Sequence, residues 1–308
     1  SLAEKTNHLR EALDFFDQMK QDTFVIATGP YEYENILQSK SLVGTTNLYN
    51  SCLIVCEKLK DIRKADYLYE EMESLNIEKD IVTFTAMIAV CEKVGNADRA
   101  IEIFEQLEEK IQQQRFEEMQ RISLDPLESV PDIKTSITLP PIPESEIGTN
   151  SNPLNNDNSP VTPKRRFLGV TTDTANLLLW ACIKGKEPRQ TIKFFHLFND
   201  RKQYPYITPD VNTYNAMIWA HEMIGEAIKA EGYLTVMKTN HIKPQTMTYD
   251  GVISAYAKQN QYEPILNLLK CMTNEDIPKS PISYQLAIDC LDRQSNENQE
   301  VIMKSRRG

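Results

Sequence analysis

The chain has 308 residues, 41% of them apolar and 25% charged, which fits one elongated or two compact folded domains. No apolar run reaches the length of a membrane span, and Ser1-Leu2-Ala3-Glu4 shows neither an initiating Met nor a signal-peptide profile, so any targeting segment is expected to have been removed. The net charge of −10 excludes loose polyanion binding over the whole surface, but the acid is concentrated early: 1–110 holds 21 acidic and 12 basic side chains, 167–308 holds 15 and 16.

In chain order, the first predicted element is a helix at Leu9–Lys20, the trailing half of a repeat. Residues 21–45 fit no register. From Thr46 onward a period of 35 residues governs the pattern. Aromatics stand at Tyr49 and Phe84, then at Tyr214, Tyr249 and Tyr284. Two further registers run through Ala65, Ala100 and Ala230, and through Met72, Leu107, Met237 and Met272. Units open at Thr46, Ile81, Thr172, Val211 and Thr246, with a further copy at Pro281.

Within each unit the apolar spacing is helical, as in Tyr49, Leu53 and Cys56 or Phe84, Ile88 and Cys91. A break at Lys60-Asp61 or Gly95-Asn96 precedes a second helical stripe, such as Ala65, Leu68, Tyr69 and Met72. Polar turns ending in Asp80, Asp210 or Gln245 close the units. One helical hairpin cannot bury its apolar face alone, so the units are predicted to stack. Cys56, Cys91 and Cys182 share position eleven and read as small buried hydrophobes rather than metal ligands.

Between about Gln112 and Arg166 the period is lost. A charged helix runs from Ala97 to roughly Arg121, and eight prolines follow among Asn, Ser, Thr and acidic residues. Such a composition predicts a flexible insertion, either a tolerated surface excursion or a partner-docking arm. The organisation is therefore helical repeats over 1–110, an extended helix end plus insertion over 111–166, and further repeats over 167–308.

The segments Asp80-Ile-Val-Thr-Phe-Thr-Ala-Met-Ile88, Asp210-Val-Asn-Thr-Tyr-Asn-Ala-Met-Ile218 and Ala65-Asp-Tyr-Leu-Tyr-Glu-Glu-Met72 resemble the pentatricopeptide repeat family. The resemblance implies an all-α, right-handed solenoid of helix–turn–helix repeats that holds single-stranded RNA on its concave face. It also implies that each unit reads one base with the residues at position five and the last position. Here position five holds Asn50, Thr85, Asn176, Asn215 and Asp250, and the last position holds Asp80, Asp210, Gln245 and Ser280. The partner of Thr85 is Thr171 if the register resumes there. By the same resemblance, Asn50 with Asp80 and Asn176 with Asp210 are uracil-preferring pairs. Asn176 and Asp210 are expected at exposed helix starts and turns, so that Asn176→Ala should barely change helix stability.

In the five complete units position two, the base-clamping position of the family, is apolar only in Val82 and Met247, whereas Asn47, Asp173 and Asn212 depart from the pattern. Position thirteen is Lys58, Lys93, Lys184 and Lys258, a stripe spaced to meet successive RNA phosphates. Trp180 and Trp219 share position nine and read as packing.

Catalysis finds no support. His221-Glu222 does not continue into a zinc-binding HExxH, no phosphate loop or deaminase signature occurs, and the other histidines stand apart. No cofactor, metal, membrane span or small-molecule substrate is expected. The expected protein is an RNA-binding repeat protein of a mitochondrion or plastid, acting in RNA processing, stability or translation. The alternative is a non-catalytic scaffold that grips protein subunits of an organellar ribonucleoprotein.

Overall fold

A computed structural model describes residues 2–28, 45–124 and 169–305, which form twelve helices and no strand. In chain order they are α1 (Leu2–Thr28), α2 (Thr46–Leu59), α3 (Ile62–Ser74), α4 (Ile81–Val94), α5 (Ala97–Leu124), α6 (Thr172–Lys184), α7 (Pro188–Phe198), α8 (Val211–Ile224), α9 (Ala227–Thr239), α10 (Thr246–Lys258), α11 (Tyr262–Asn274) and α12 (Pro281–Ser305). The six helices that open units begin at Thr46, Ile81, Thr172, Val211, Thr246 and Pro281, the residues the 35-residue register selects. The proline-rich part of the insertion, 125–168, lies outside the described residues, as does 29–44 of the stretch that fits no register.

The chain divides into two compact units, Ser1–Glu109 with Gly169–Gly308, and Lys110–Leu168. The first holds every repeat. Among the described residues the second holds only the C-terminal part of α5, which reaches Leu124.

Caps and turns explain why each helix starts and stops where it does. Asp80 and Asp210 sit at the N-caps of α4 and α8, each accepting from the backbone N–H of Thr83 or Thr213 at 2.9 Å. Thr171 caps α6 in the same manner, accepting from Thr174 N. Position fifteen is left-handed in all five hairpins, at Lys60, Gly95, Lys186, Gly225 and Asn260. A second left-handed position recurs at Asn76, His241 and Asp276. The turn is thus a property of the repeat, and only Gly95 and Gly225 adopt it without the steric cost a Cβ carries.

First helices form one continuous layer, in which α2, α4, α6, α8, α10 and α12 each pack on the next. The second helices lie behind them. Tyr49, Leu53, Cys56, Leu68, Met72, Met87, Ile88, Phe104 and Leu107 are all fully buried, so the three sequence registers are the core. Each such side chain contributes about 1.5–3 kcal/mol of burial. Helix α1 completes the layer order, with Phe16 edge-on to Tyr49 at 5.3 Å, as expected of a trailing half-repeat. Cys56, Cys91 and Cys182 are buried, and burial pushes each thiol up to about 12, so they act as packing groups.

Repeat stacking continues across the interruption. α4 packs on α6 as α2 packs on α4, and Phe104 of α5 meets Phe194 and Phe198 of α7 edge-on at 5.7 and 5.5 Å. Gly185 lies so close to the start of α5 that a Cβ there would stand 2.5 Å from the Ala97 Cβ. The sixth unit differs from the rest. α12 runs unbroken from Pro281 to Ser305 instead of folding back, and Tyr284, the last aromatic of its register, is half exposed where its counterparts are buried.

Candidate nucleic-acid interface

Five unit boundaries carry a hydrogen-bonded cluster of position five of one unit, the residue that ends it and position three of the next, closed into a triangle at the first, third and fifth. At the first boundary Asn50 Nδ2 donates to Asp80 Oδ1 at 3.0 Å, and Thr83 Oγ1 donates to Asn50 Oδ1 at 2.7 Å. The third repeats it with Asn176, Asp210 and Thr213, at 3.0 and 2.7 Å. At the fourth, Thr248 donates to Asn215 Oδ1 at 2.7 Å and accepts from Gln245 N at 3.0 Å. At the fifth, Ser280 donates to Asp250 Oδ1 at 2.9 Å, and Ser283 bonds the same oxygen.

The second boundary spans the insertion and is built from hydroxyls alone. Thr85 and Thr174 are 3.0 Å apart, as are Thr174 and Thr171. Thr171 therefore occupies the last position of the interrupted unit, and the polar row is unbroken. Position three, held by Thr83, Thr174, Thr213, Thr248 and Ser283, was not singled out as functional from the sequence. Its signal was present, because a Ser or Thr recurs there in every unit after the first.

One expectation is corrected. Asn176 is 7% exposed and Asn50 and Asn215 are as deeply buried, so the position-five amides are inter-unit hydrogen-bonding groups and not residues of an exposed helix start. Replacing Asn176 would remove the two hydrogen bonds that join it to Asp210 and Thr213 across the boundary, so stability would change. Burial pushes the Asp80 carboxyl up, but hydrogen bonds from the Thr83 N–H and from Asn50 outweigh it and hold the group below the usual carboxylate range. Asp80, Asp210 and Ser280 keep partial exposure, and Gln245 is exposed.

Position two flanks the row and points outward in every unit. Val82 and Met247 are about two-fifths exposed, with Asn47, Asp173 and Asn212 exposed beside them. Ile282 adds a third apolar residue at this position, 63% exposed. Trp219 packs within the layer, its indole nitrogen 3.2 Å from where a Cβ on Gly251 would lie.

The four lysines at position thirteen stand exposed at the other end of the first helices, about 12 Å along the axis from position five. Three of them meet carboxylates at position twelve. Lys258 is 2.8 Å from Glu222, Lys93 is 3.1 Å from Glu92 and 3.9 Å from Glu57, and Lys184 also bonds Glu92. The lysine row is thus interleaved with acid, which the lysine spacing alone did not reveal.

Comparison with known proteins places this arrangement. A profile described as the pentatricopeptide repeat domain matches residues 67–112 and 201–259, and one described as the PPR repeat matches 48–77 and 247–277. A chloroplastic pentatricopeptide repeat-containing protein of Arabidopsis thaliana is 34% identical over 75 residues, 24% of this chain and 11% of that protein's own length. Among solved structures, the PPR domain of Arabidopsis thaliana protein-only RNase P 1 in complex with tRNA superposes with a TM-score of 0.51 at 12% identity, covering 80% of this chain and 98% of the other. The pentatricopeptide repeat protein PPR10 from maize gives 0.46 at 17% identity, covering 94% and 36%. Residues 48–112 and 201–277 are pentatricopeptide repeats, and the described helices have the α-solenoid fold of that family.

Proposed function

We propose that the chain binds single-stranded RNA along the row of boundary triangles, one base per boundary, in a mitochondrion or plastid. The observation that carries the reading is the recurrence, at all five boundaries along the first-helix layer, of a hydrogen bond between position five of one unit and position three of the next. In the Asn–Asp boundaries one carboxylate oxygen is committed to the triangle. The other remains to accept a hydrogen bond, and the second amide hydrogen of Asn50 or Asn176 remains to donate one. An acceptor beside a donor complements the N3–H and adjacent carbonyl of uracil. Val82, Met247 and Ile282 offer apolar surface for base faces, and the lysines at position thirteen offer charge for phosphates.

The RNA-bound domain among the structural relatives, which carries tRNA, agrees with this reading, as the chloroplastic relative agrees with an organellar setting. The role is non-catalytic, in RNA processing, stability or translation, and needs no cofactor. A second reading, a scaffold gripping subunits of an organellar ribonucleoprotein, is favoured by exposed Asp173 and by the acid interleaved with the lysines. Crosslinking in the native organelle followed by sequencing of attached RNA tests the choice. Reads that converge on sites with uracils at fixed spacing support base reading, and recovery of protein neighbours without RNA supports the scaffold.

A further inference from the structure

Along the lysine row the carboxylates lie deeper than the lysines. The Glu92 and Glu222 side chains are 9% and 6% exposed, against 41%, 42% and 50% for Lys93, Lys184 and Lys258. Each acid belongs to one first helix and reaches a lysine on the next, Glu92 of α4 to Lys184 of α6 and Glu222 of α8 to Lys258 of α10. Glu222 is fixed from a second side by Ser254, whose hydroxyl donates to the same carboxylate oxygen at 2.6 Å. Burial pushes the Glu92 carboxyl up, but its hydrogen bonds to Lys184 and Lys93 prevail and keep it ionised at neutral pH. The charge balance follows: Glu92 offsets half the charge of Lys93 and Lys184, Glu57 adds to this at Lys93 from 3.9 Å, and Glu222 cancels the charge of Lys258.

We infer that Glu92 and Glu222 are built-in competitors of the RNA backbone, holding the position-thirteen lysines against phosphate and setting both the strength and the salt dependence of binding. The inference rests on the RNA reading above. A phosphate approaching Lys258 must displace a carboxylate that is already desolvated, anchored by Ser254 and 2.8 Å away. Such a phosphate gains little and releases few counterions. Position twelve is not uniformly acidic, since Ile183 and Ala257 occupy it in two units, so the acid is a local feature of particular boundaries. The same pairs tie successive first helices together, which gives them a structural role in the free protein and a restraining one when RNA binds.

The test is affinity for a 15-nucleotide uridine RNA across about 50–200 mM salt, a range over which lysine–phosphate contacts give a measurable slope. Glu92→Gln and Glu222→Gln should each tighten binding at 100 mM salt by about three- to tenfold. The salt slope should steepen by about 0.7 for each variant, since each removes one compensating carboxylate from the row. Glu70→Gln, an equal charge change on α3 at a side chain 74% exposed, should leave the slope alone. Adding Lys258→Ala to Glu222→Gln should return the slope to its starting value, and thermal melts should show all four variants folded. If wild type binds RNA and the two glutamine variants behave as Glu70→Gln does, the carboxylates are structural only and the inference falls while the RNA reading stands. If neither wild type nor any folded variant binds RNA at 50 mM salt, the RNA reading falls and the inference with it.

Discussion

Asn176 donates to Asp210 across 34 residues of sequence at 3.0 Å, and Asp210 is also the N-cap of α8. One carboxylate therefore joins two units, starts a helix and faces the proposed RNA path. Stability and recognition are coupled in this side chain. Asn176→Ala should destabilise the fold by about 1–3 kcal/mol, because two hydrogen bonds between units are lost while Asp210 and Thr213 keep only those they make to each other. Urea unfolding followed by circular dichroism measures this. A midpoint equal to that of wild type would mean that the triangle contributes nothing to folding.

Gly185→Ala tests whether stacking is continuous across the insertion. Its new Cβ would lie 2.5 Å from the Ala97 Cβ and 3.0 Å from the Ala97 backbone nitrogen, so α6 must shift away from α5. The expected cost is about 1–3 kcal/mol, typical of overpacking. No loss of stability would show that these two units are not in register contact.

Lys186 holds a left-handed backbone, φ 64°, where Gly95 and Gly225 stand in equivalent turns. Lys186→Gly removes the Cβ clash but gives the unfolded chain more freedom. The net gain should be about 0.5 kcal/mol, a relieved clash of roughly 1–2 kcal/mol less an unfolded-state entropy cost of roughly 0.4–1 kcal/mol. A rise in melting temperature supports the repeated-turn account, and a fall would contradict it.

His221 takes the place that buried cysteines hold in three other units, and it is 4% exposed. Burial pushes its pKa below the ordinary value, against the opposing 2.8 Å hydrogen bond to Glu226; Lys229 and His196 add to the lowering. The unfolded chain therefore takes up a proton first as pH falls. Stability from this site is present above the unfolded value, near 6.5, and is lost as pH drops through that value toward the lower folded one. His221→Tyr, which copies Tyr256 of the next unit, should flatten the stability change between pH 7.5 and about 5.5. Equal slopes in variant and wild type would remove His221 as the cause.

Period and helix starts were legible because they rest on local spacing. Tyr49, Phe84, Tyr214 and Tyr249 announce the repeat, and Asp80 and Asp210 announce the caps. The pairing of position five with the next unit's position three was not legible as contact, because Asn176 and Thr213 lie 37 residues apart and meet only once the hairpins stack. For the same reason Asn176 read as exposed. The lysine stripe read as free charge because the acid facing Lys184 is Glu92, 92 residues earlier and beyond an insertion that breaks the register. Thr171 lay in between: the sequence offered it conditionally, and the hydroxyl chain from Thr85 through Thr174 places it.

The central claim is that the boundary triangles read bases, and Asp210→Asn tests it most directly. Asn is nearly isosteric and an equally good N-cap, so α8 should keep its start. The change replaces a group that only accepts with an amide that can donate. At the one base facing Asn176 and residue 210, preference should then move from uracil, whose N3 donates, toward cytosine, whose N3 accepts. Affinities measured on oligonucleotides varied one base at a time should show a change of about 1–3 kcal/mol at that position and none elsewhere. A wild type that binds all four bases equally, or a variant whose affinity shifts uniformly across every oligonucleotide, would contradict base reading by these triangles.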